Sequence, residues 1–451
     1  MPLRFPLALL TVALLAALPA WAQQQAPLPE TPPVVAPSDD PDAAENAPKV
    51  PLEEIRRYVA VFNAVKEAYV EPVEDKKLMQ SAIRGLLLDL DPHSTYFDKA
   101  DSEAFDEQAN GAYEGIGVEL MQQPDRTLLV VSPIDDTPAA KAGIKSGDLI
   151  TAIDGKPISA EDGMEPLRGA PGSKIVLTIA REGTPKPFDV TLVRDTIRVA
   201  SVRSRMLEPG YGYVRISAFQ TDTAADFQKQ IDRLQQTGKL RGLVLDLRSN
   251  PGGLLLAAVQ VADDLLDKGN IVSTRGRMSI SDSKFDATPG DRLSGAPVVV
   301  LVDAGSASAS EVLAGALRDN NRARVVGSRT FGKGSVQTVL PLDNGDSVKL
   351  TTARYYTPSG KSIQASGIVP DVVVKPEGAD AKPGSVVERD GQLYITEATL
   401  PGHLRGDEEG AAGYTPGDVL DGDAPINAAL AELKKVAATA NAAGAAATSR
   451  R

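Results

Sequence analysis

Ser308, Lys333 and Gln337 sit in two glycine-rich segments, Gly305 to Glu311 (GSASASE) and Thr330 to Gln337 (TFGKGSVQ). A serine hydroxyl is a poor nucleophile near neutral pH until a base takes its proton, so a hydrolytic reading has to supply that base. The two histidines do not offer it. His93 lies in Asp91-Pro92-His93-Ser94-Thr95, a turn between expected helices, and His403 lies in an acidic, glycine-rich tail, so both are expected to be structural. A lysine serves instead when burial and a positive helix end disfavour its ammonium form. Lys333, between Gly332 and Gly334, is the candidate, although taken alone it also suits a solvated loop.

The elements that must position these residues read as two strand-turn-helix units. Gly242 to Arg248 is a buried strand that runs into Ser249-Asn250-Pro251-Gly252-Gly253 and a helix from Leu254 to Leu266. Pro297 to Val302 is a second strand, followed by Asp303-Ala304-Gly305 and a helix that begins around Ser308 and runs to Leu317. A nucleophile at a helix N-terminus has unpaired N–H donors and a positive dipole end where a tetrahedral intermediate would carry its charge. The Ala309 N–H is one expected oxyanion donor. The glycine turn supplies the second, with Gly252 preferred over Gly253, although Asn-Pro-Gly-Gly alone also describes a plain strand-to-helix turn. A strand from Tyr211 to Ile216 and a helix from Thr223 to Gln236 precede this pair.

Residues 109–197 alternate short β-rich runs with two helical patches. Gly115-Ile116-Gly117-Val118, Thr137-Pro138-Ala139, Ala142-Gly143-Ile144, Gly147-Asp148 and Ile153-Asp154-Gly155 resemble a bacterial PDZ domain over nearly its whole length. The resemblance implies that Gly115, Ile116, Gly117 and Val118 hold a peptide's terminal carboxylate while the peptide adds as a strand. Met164 and Leu167 either line the groove for the last side chain or belong to the domain's own core. Arg168 is either a surface arginine or a relay between the groove and the catalytic loop.

Together these segments resemble the C-terminal processing peptidases, or tail-specific proteases, over roughly residues 52–374. The resemblance makes Ser308 the nucleophile, Lys333 its base twenty-five residues on, and Gln337, four further, the residue that orients the lysine. Ser306 and Ser310 are then structural, and Glu311 is a first-turn residue suited to the helix dipole. Residues four apart on an extended strand are about 13 Å from each other. The Lys333–Gln337 segment is therefore expected to bend, with substrate in the PDZ groove favouring the bent form. The implied architecture is multidomain α/β: a crotonase/ClpP-like protease core with an inserted PDZ domain and helical segments at both ends.

Expected boundaries are a signal peptide (1–22), a Pro/Ala-rich tether (23–51), an N-terminal helical region (52–108), the PDZ domain (109–197), the α/β core (198–375), a Gly/Asp/Pro-rich linker (376–422) and a C-terminal helix and tail (423–451). Arg4, the apolar run Leu7 to Leu18 and Ala20-Trp21-Ala22 predict export and cleavage after Ala22, hence a periplasmic protein without a membrane span. The chain has no cysteine, which excludes disulfides and Cys-ligated zinc, and no metal or other cofactor is expected. A net charge of -12 without a basic cluster argues against nucleic acid. The resemblance implies protein substrates with apolar C-termini, a homo-oligomer and, in some members, an adaptor protein. The N-terminal helices at Leu52 to Val65 and Lys76 to Asp89 either cap this chain's core or form a subunit interface. The C-terminal helix, with Ile426, Leu430, Leu433 and Val436, faces the same choice. Two other readings remain open: a non-proteolytic PDZ scaffold with a degenerate α/β domain, and a crotonase-like acyl-CoA enzyme, against which export speaks.

Overall fold

The computed structural model describes residues 51–375, 396–407, 409 and 417–448, apart from 124–126, 135, 159–164, 237 and 279–280. The expected signal peptide, nearly all of the tether, Met164 and most of the 376–422 linker lie outside the described residues. Among the described residues no helix is long and apolar enough to cross a membrane.

Two helices come first among the described residues, α1 (Leu52–Ala68) and α2 (Asp75–Leu88), as their apolar spacing predicts. They do not cap the core of this chain: α1 has no buried residue and α2 buries only Leu87. A short strand, β1 (Thr95–Phe97), leads to α3 (Lys99–Asn110), which falls in the expected helical region 52–108 although its polar segment carries no apolar helical spacing of its own. Its signals are at the ends. The Asp98 side chain accepts the Asp101 N–H, and Gly111 closes the helix in the left-handed conformation. Phe105 of α3 packs on Phe97 with ring centroids 5.4 Å apart.

The PDZ unit hangs from a two-stranded antiparallel neck, β2 (Ala112–Gly115) and β9 (Asp195–Arg198). Between them lie β3 (Val118–Gln122), β4 (Leu128–Pro133), α4 (Pro138–Lys141), β5 (Leu149–Ile153), β6 (Lys156–Pro157), β7 (Lys174–Ala180) and β8 (Phe188–Val193), in the sheet order β3-β4-β5-β7-β8 with β6 on β5. The alternation of β7 sends Ile175, Leu177 and Ile179 inward against Leu128, Val130 and Ile150.

In the core, six strands form one sheet: β10 (Val202–Glu208), β11 (Tyr211–Ile216), β12 (Gly242–Asp246), β15 (Val298–Val302), β16 (Ala323–Gly327) and β19 (Val372–Val373), in that order and parallel except for β10. Both β12 and β15 are buried at every position. The reason is cover on both faces. Helices α5 (Thr223–Gln235), α6 (Leu255–Asp263) and α7 (Ala309–Asp319) pack on one side, and α8 (Ala424–Thr448) covers the other through Ile426, Ala429, Leu430 and Leu433. The C-terminal helix thus packs on its own core. A second sheet joins β13 (Asn270–Gly276), β14 (Ser283–Asp286), β17 (Ser335–Pro341) and β18 (Ser347–Tyr356), and β18 also takes β1 on one edge.

Candidate active site

The strand-to-helix turns after β12 and β15 are bound to each other. Buried Asp303 accepts the N–H groups of Ser249 (2.8 Å) and Gly305 (2.9 Å), Ser306 Oγ donates to the Leu247 carbonyl, and Ser310 Oγ donates to that of Asn250. Ser308 stands between these cross-links, one residue before α7, with φ at +55°. That conformation is costly for a residue with a side chain and is held here by the surrounding bonds. Gly252 lies directly against it. A Cβ on Gly252 would come within 2.8 Å of the Ala307 carbonyl oxygen, 2.9 Å of Ser308 Cβ and 3.0 Å of the Ala309 nitrogen. The Gly252 N–H itself donates to Asn250 Oδ1 at 2.9 Å, whereas that of Gly253 has no hydrogen-bond partner among the described residues.

Glu311, three residues into the turn from Ser308, is fully buried. One of its oxygens, Oε2, accepts the Ser308 N–H (2.8 Å) and the Lys333 N–H (2.9 Å); the other, Oε1, accepts the Gly332 N–H (2.8 Å) and the Thr330 hydroxyl. The backbone nitrogens of Ser308 and Lys333 therefore lie within about 6 Å of each other. Burial pushes the Glu311 carboxyl up to about 7 against the pull of these four donors. Glu311 is the first-turn residue expected, and beyond that role it ties the segment of Ser308 to that of Lys333. The Ser-x-x-Glu spacing of a capping box is the sequence signal that points to it.

Lys333 is partly buried, and its ammonium is disfavoured first by desolvation and second by the Lys349 ammonium, against the attraction of Glu397, Glu311 and Asp91. Gln337 lies not on a coiled turn but on the extended strand β17, just past a bulge between Val336 and Gln337. Pairing with β18 extends the segment. The Gln337 side-chain nitrogen donates to Ser335 Oγ (2.9 Å) and Thr351 Oγ1 (3.2 Å), and among the described contacts it makes no bond to Lys333. Behind it, Thr351 Oγ1 donates to buried Asp91, whose carboxylate also holds Ser94 and the His93 N–H. His93 pairs with buried Glu397 at 2.7 Å, Glu397 accepts from Gln364, and Gln364 accepts the Gly334 N–H. Buried Tyr355 faces Ser308, and its phenol is pushed up to about 12 by desolvation. Asp91, Glu397 and Tyr355 are far from Ser308 in sequence and carry no local motif, so only the fold reveals them.

In the PDZ unit a cavity of about 200 Å³ is lined by Gly115, Ile116, Gly117, Val118 and Leu167 together with Tyr113, Leu120 and Arg168. Leu167 also belongs to the domain core, so the two readings of it coincide. Arg168 pairs with Glu107 of α3 and sits 5.9 Å from the Tyr113 ring centroid. The pocket is thus tied to the helix that follows β1, the short strand paired with β18 of the second sheet. Arg181 beside Asp148 holds that buried carboxyl below the ordinary range despite its desolvation.

Residues 210–374 match the model of peptidase family S41, 115–192 that of a PDZ domain, and 16–101 that of the N-terminal domain of the activating protease CtpB. A carboxy-terminal-processing protease of Bartonella bacilliformis is 44% identical over 393 residues, which cover 85% of this chain and 88% of that protein. The carboxy-terminal processing protease CtpA of Bacillus subtilis is 37% identical over 315 residues, 69% of this chain and 67% of the relative. Among solved structures, a photosystem II D1 C-terminal processing protease is 33% identical, covering 72% of this chain and 94% of that one with a TM-score of 0.42. The chain belongs to the carboxy-terminal-processing proteases, PDZ-containing serine peptidases of family S41.

Proposed function

We propose that this protease hydrolyses peptide bonds through an acyl-enzyme on Ser308, with Lys333 as its general base and acid. The observation that carries this reading is the shared acceptor, Glu311 Oε2, which holds the backbones of both residues at once. As Ser308 Oγ attacks the scissile carbonyl carbon, the neutral Lys333 amine takes its proton; the collapsing tetrahedral intermediate then receives that proton on the leaving amine. Water, deprotonated by the same lysine, releases the acyl group and regenerates the serine. The Ala309 N–H and the Gly252–Gly253 turn stabilise the oxyanion. Gly252 packs on the nucleophile but gives its N–H to Asn250, so its service there requires that bond to open; Gly253 is the alternative donor.

Gln337, bonded to Ser335 and Thr351, orients Lys333 only after β17 shifts near its bulge. Substrate in the PDZ pocket favours that shift, with protein C-termini bound at Gly115 to Val118 and an apolar terminal side chain against Leu120 and Leu167. The expected setting is the periplasm, reached through the signal at residues 1–22. The exposed apolar side chains of α1, Leu52, Ile55 and Val59, suit a homo-oligomer interface; an adaptor protein is a further partner the family allows. Cleavage of a soluble protein ending in apolar residues, compared among wild type, Ser308→Ala and Lys333→Ala, tests the reading. Loss in both variants is expected. Persistence of cleavage in Lys333→Ala would refute the dyad, and binding without cleavage in the wild type would favour the PDZ scaffold.

A further inference from the structure

We propose that Gln364 and Glu397 are positioning residues of the catalytic centre, a buried bridge that shares with Glu311 the task of bracing the Lys333 loop. Phe331 to Gly334 are four consecutive residues held through their backbone. Glu311 accepts the N–H groups of the middle two, Gly332 and Lys333. A second set of bonds comes from farther along the chain. The Glu397 N–H donates to the Phe331 carbonyl (3.1 Å), the Ala365 N–H donates to that of Gly332 (2.8 Å), and Gln364 Oε1 accepts the Gly334 N–H (3.0 Å). Lys333 thus stands between two residues, Phe331 and Gly334, that the bridge fixes.

The bridge is satisfied in one arrangement only. Gln364 is fully buried, and its Nε2 donates to Glu397 Oε1 (2.7 Å) and to the Leu404 carbonyl (2.8 Å). Both amide hydrogens are engaged, which leaves Oε1 to face Gly334; turning the amide over would set a donor against the Gly334 N–H. A Cβ on Gly334 would lie 2.3 Å from the Gln364 nitrogen, so only glycine permits this approach. The other Glu397 oxygen, Oε2, pairs with His93 Nε2 at 2.7 Å. Three distant segments therefore meet at the Lys333 loop: the turn before β1, the turn after β18 that carries Gln364, and the short turn Glu397–Thr399 inside the stretch expected to be a linker.

A fully buried carboxylate needs a reason beyond filling space, because its desolvation is costly unless its oxygens are bonded. Charge is not that reason. Glu397 favours the Lys333 ammonium and so acts against the amine form that a general base needs. What it supplies is two bonded oxygens, one fixing Gln364 and the other His93, together with a backbone N–H for Phe331. A general base must reach the proton it takes, and a misplacement of about 1 Å costs about 10²-fold in rate. Glu311 holds the middle of the loop and the bridge its two ends, so the lysine backbone has no free side on which to drift.

This inference rests on the assignment of Lys333 as the base, and two readouts separate the failures. The first is steady-state cleavage of a protein ending in apolar residues. Gln364→Leu, which keeps the volume but not the bonds, and Glu397→Ala cut the bridge from either side, so one serves if the other does not fold. Each should lower kcat by about 10²-fold while KM stays within about twofold. Glu397→Gln, which keeps an acceptor for Gln364, should recover about ten-fold or more of that loss. A residue that only fills the core would instead lower the melting temperature without this split between kcat and KM. The second readout is hydrogen exchange of the 331–334 amides, all four of which are hydrogen-bonded, and it needs no catalysis. Exchange should quicken by about ten-fold or more in Gln364→Leu and Glu397→Ala and slow again in Glu397→Gln. Exchange that stays at the wild-type rate in a folded Gln364→Leu or Glu397→Ala protein, or a kcat loss that Glu397→Gln does not recover, overturns the proposal. Quickened exchange in these variants beside a Lys333→Ala protein that cleaves as fast as wild type overturns only the assignment of Lys333 as catalytic base.

Discussion

Glu311 shows how much of the chemistry rests on a residue that touches no substrate. Its carboxylate accepts from three backbone N–H groups and the Thr330 hydroxyl, and an unsatisfied buried N–H costs about 1–3 kcal/mol. Glu311→Gln keeps the shape but turns donors toward donors, so kcat should fall by about 10²-fold through misplacement of Lys333, with KM less affected; steady-state kinetics beside a thermal melt separates this from unfolding. A residue-scale prediction also follows from Lys333. Because desolvation lowers its value from 10.5, the neutral base forms at lower pH than an ordinary lysine allows, and activity should rise with pH along a limb below 10.5. In the PDZ unit the sign is reversed. Asp148 is held low by Arg181, so its stabilisation is complete above the ordinary value of 3.8 and is lost as pH falls through its lower folded value. Melting temperatures of wild type and Arg181→Met should therefore converge as pH drops below 3.8. A difference that persists unchanged to pH 2 would show that the pair is not the cause.

At the scale of elements, the two strand-to-helix turns are the parts that cannot be altered. Gly252 adopts φ of +101° and presses on Ser308, so Gly252→Ala should cost about 1–3 kcal/mol in stability and abolish cleavage. Retained cleavage would mean that the turn has room the structure does not show. Arg168 joins the PDZ cavity to α3, and on the proposed reading Arg168→Ala should weaken activation by substrate; a cleavage rate unchanged across substrate concentrations would remove it as a relay. These turns were legible from sequence because glycine, proline and buried β-branched runs punctuate them. The strand Lys174–Ala180 shows what makes a strand legible: its strict alternation sends Ile175, Leu177 and Ile179 inward. α3 has no such pattern, since its helix is built from polar residues between an Asp98 cap and Gly111. Gln337 was placed in a bent loop because spacing alone cannot reveal that β18, formed from residues 347–356, pairs with it and extends it. Gln364 and Glu397 were missed for the same reason: their positions depend on pairing and packing between distant segments.

Across the whole molecule, the catalytic layer is held between helices on one face and α8 on the other. Leu433 of α8 is fully buried and rests against Gly242 of β12, and Arg248, paired with Asp246, reaches the carbonyls of Leu420 and Gly422. Leu433→Ala should cost about 2–5 kcal/mol by leaving a cavity under the sheet that carries both turns; denaturant unfolding measures this. The N-terminal helices are the contrast. α1 buries nothing within the chain, so a change of its apolar face, such as Val59→Asp, should alter the assembly size in sedimentation without lowering the melting temperature of the core.

On the proposed mechanism Ser308 becomes nucleophilic only through Lys333. Mass-spectrometric mapping of a fluorophosphonate adduct, formed in the presence of a peptide with an apolar C-terminus, tests it most directly. A single adduct on Ser308 is predicted, forming faster as pH rises and lost in Lys333→Met; labelling of Ser308 at an undiminished rate in Lys333→Met, or an adduct on another residue, would contradict the account.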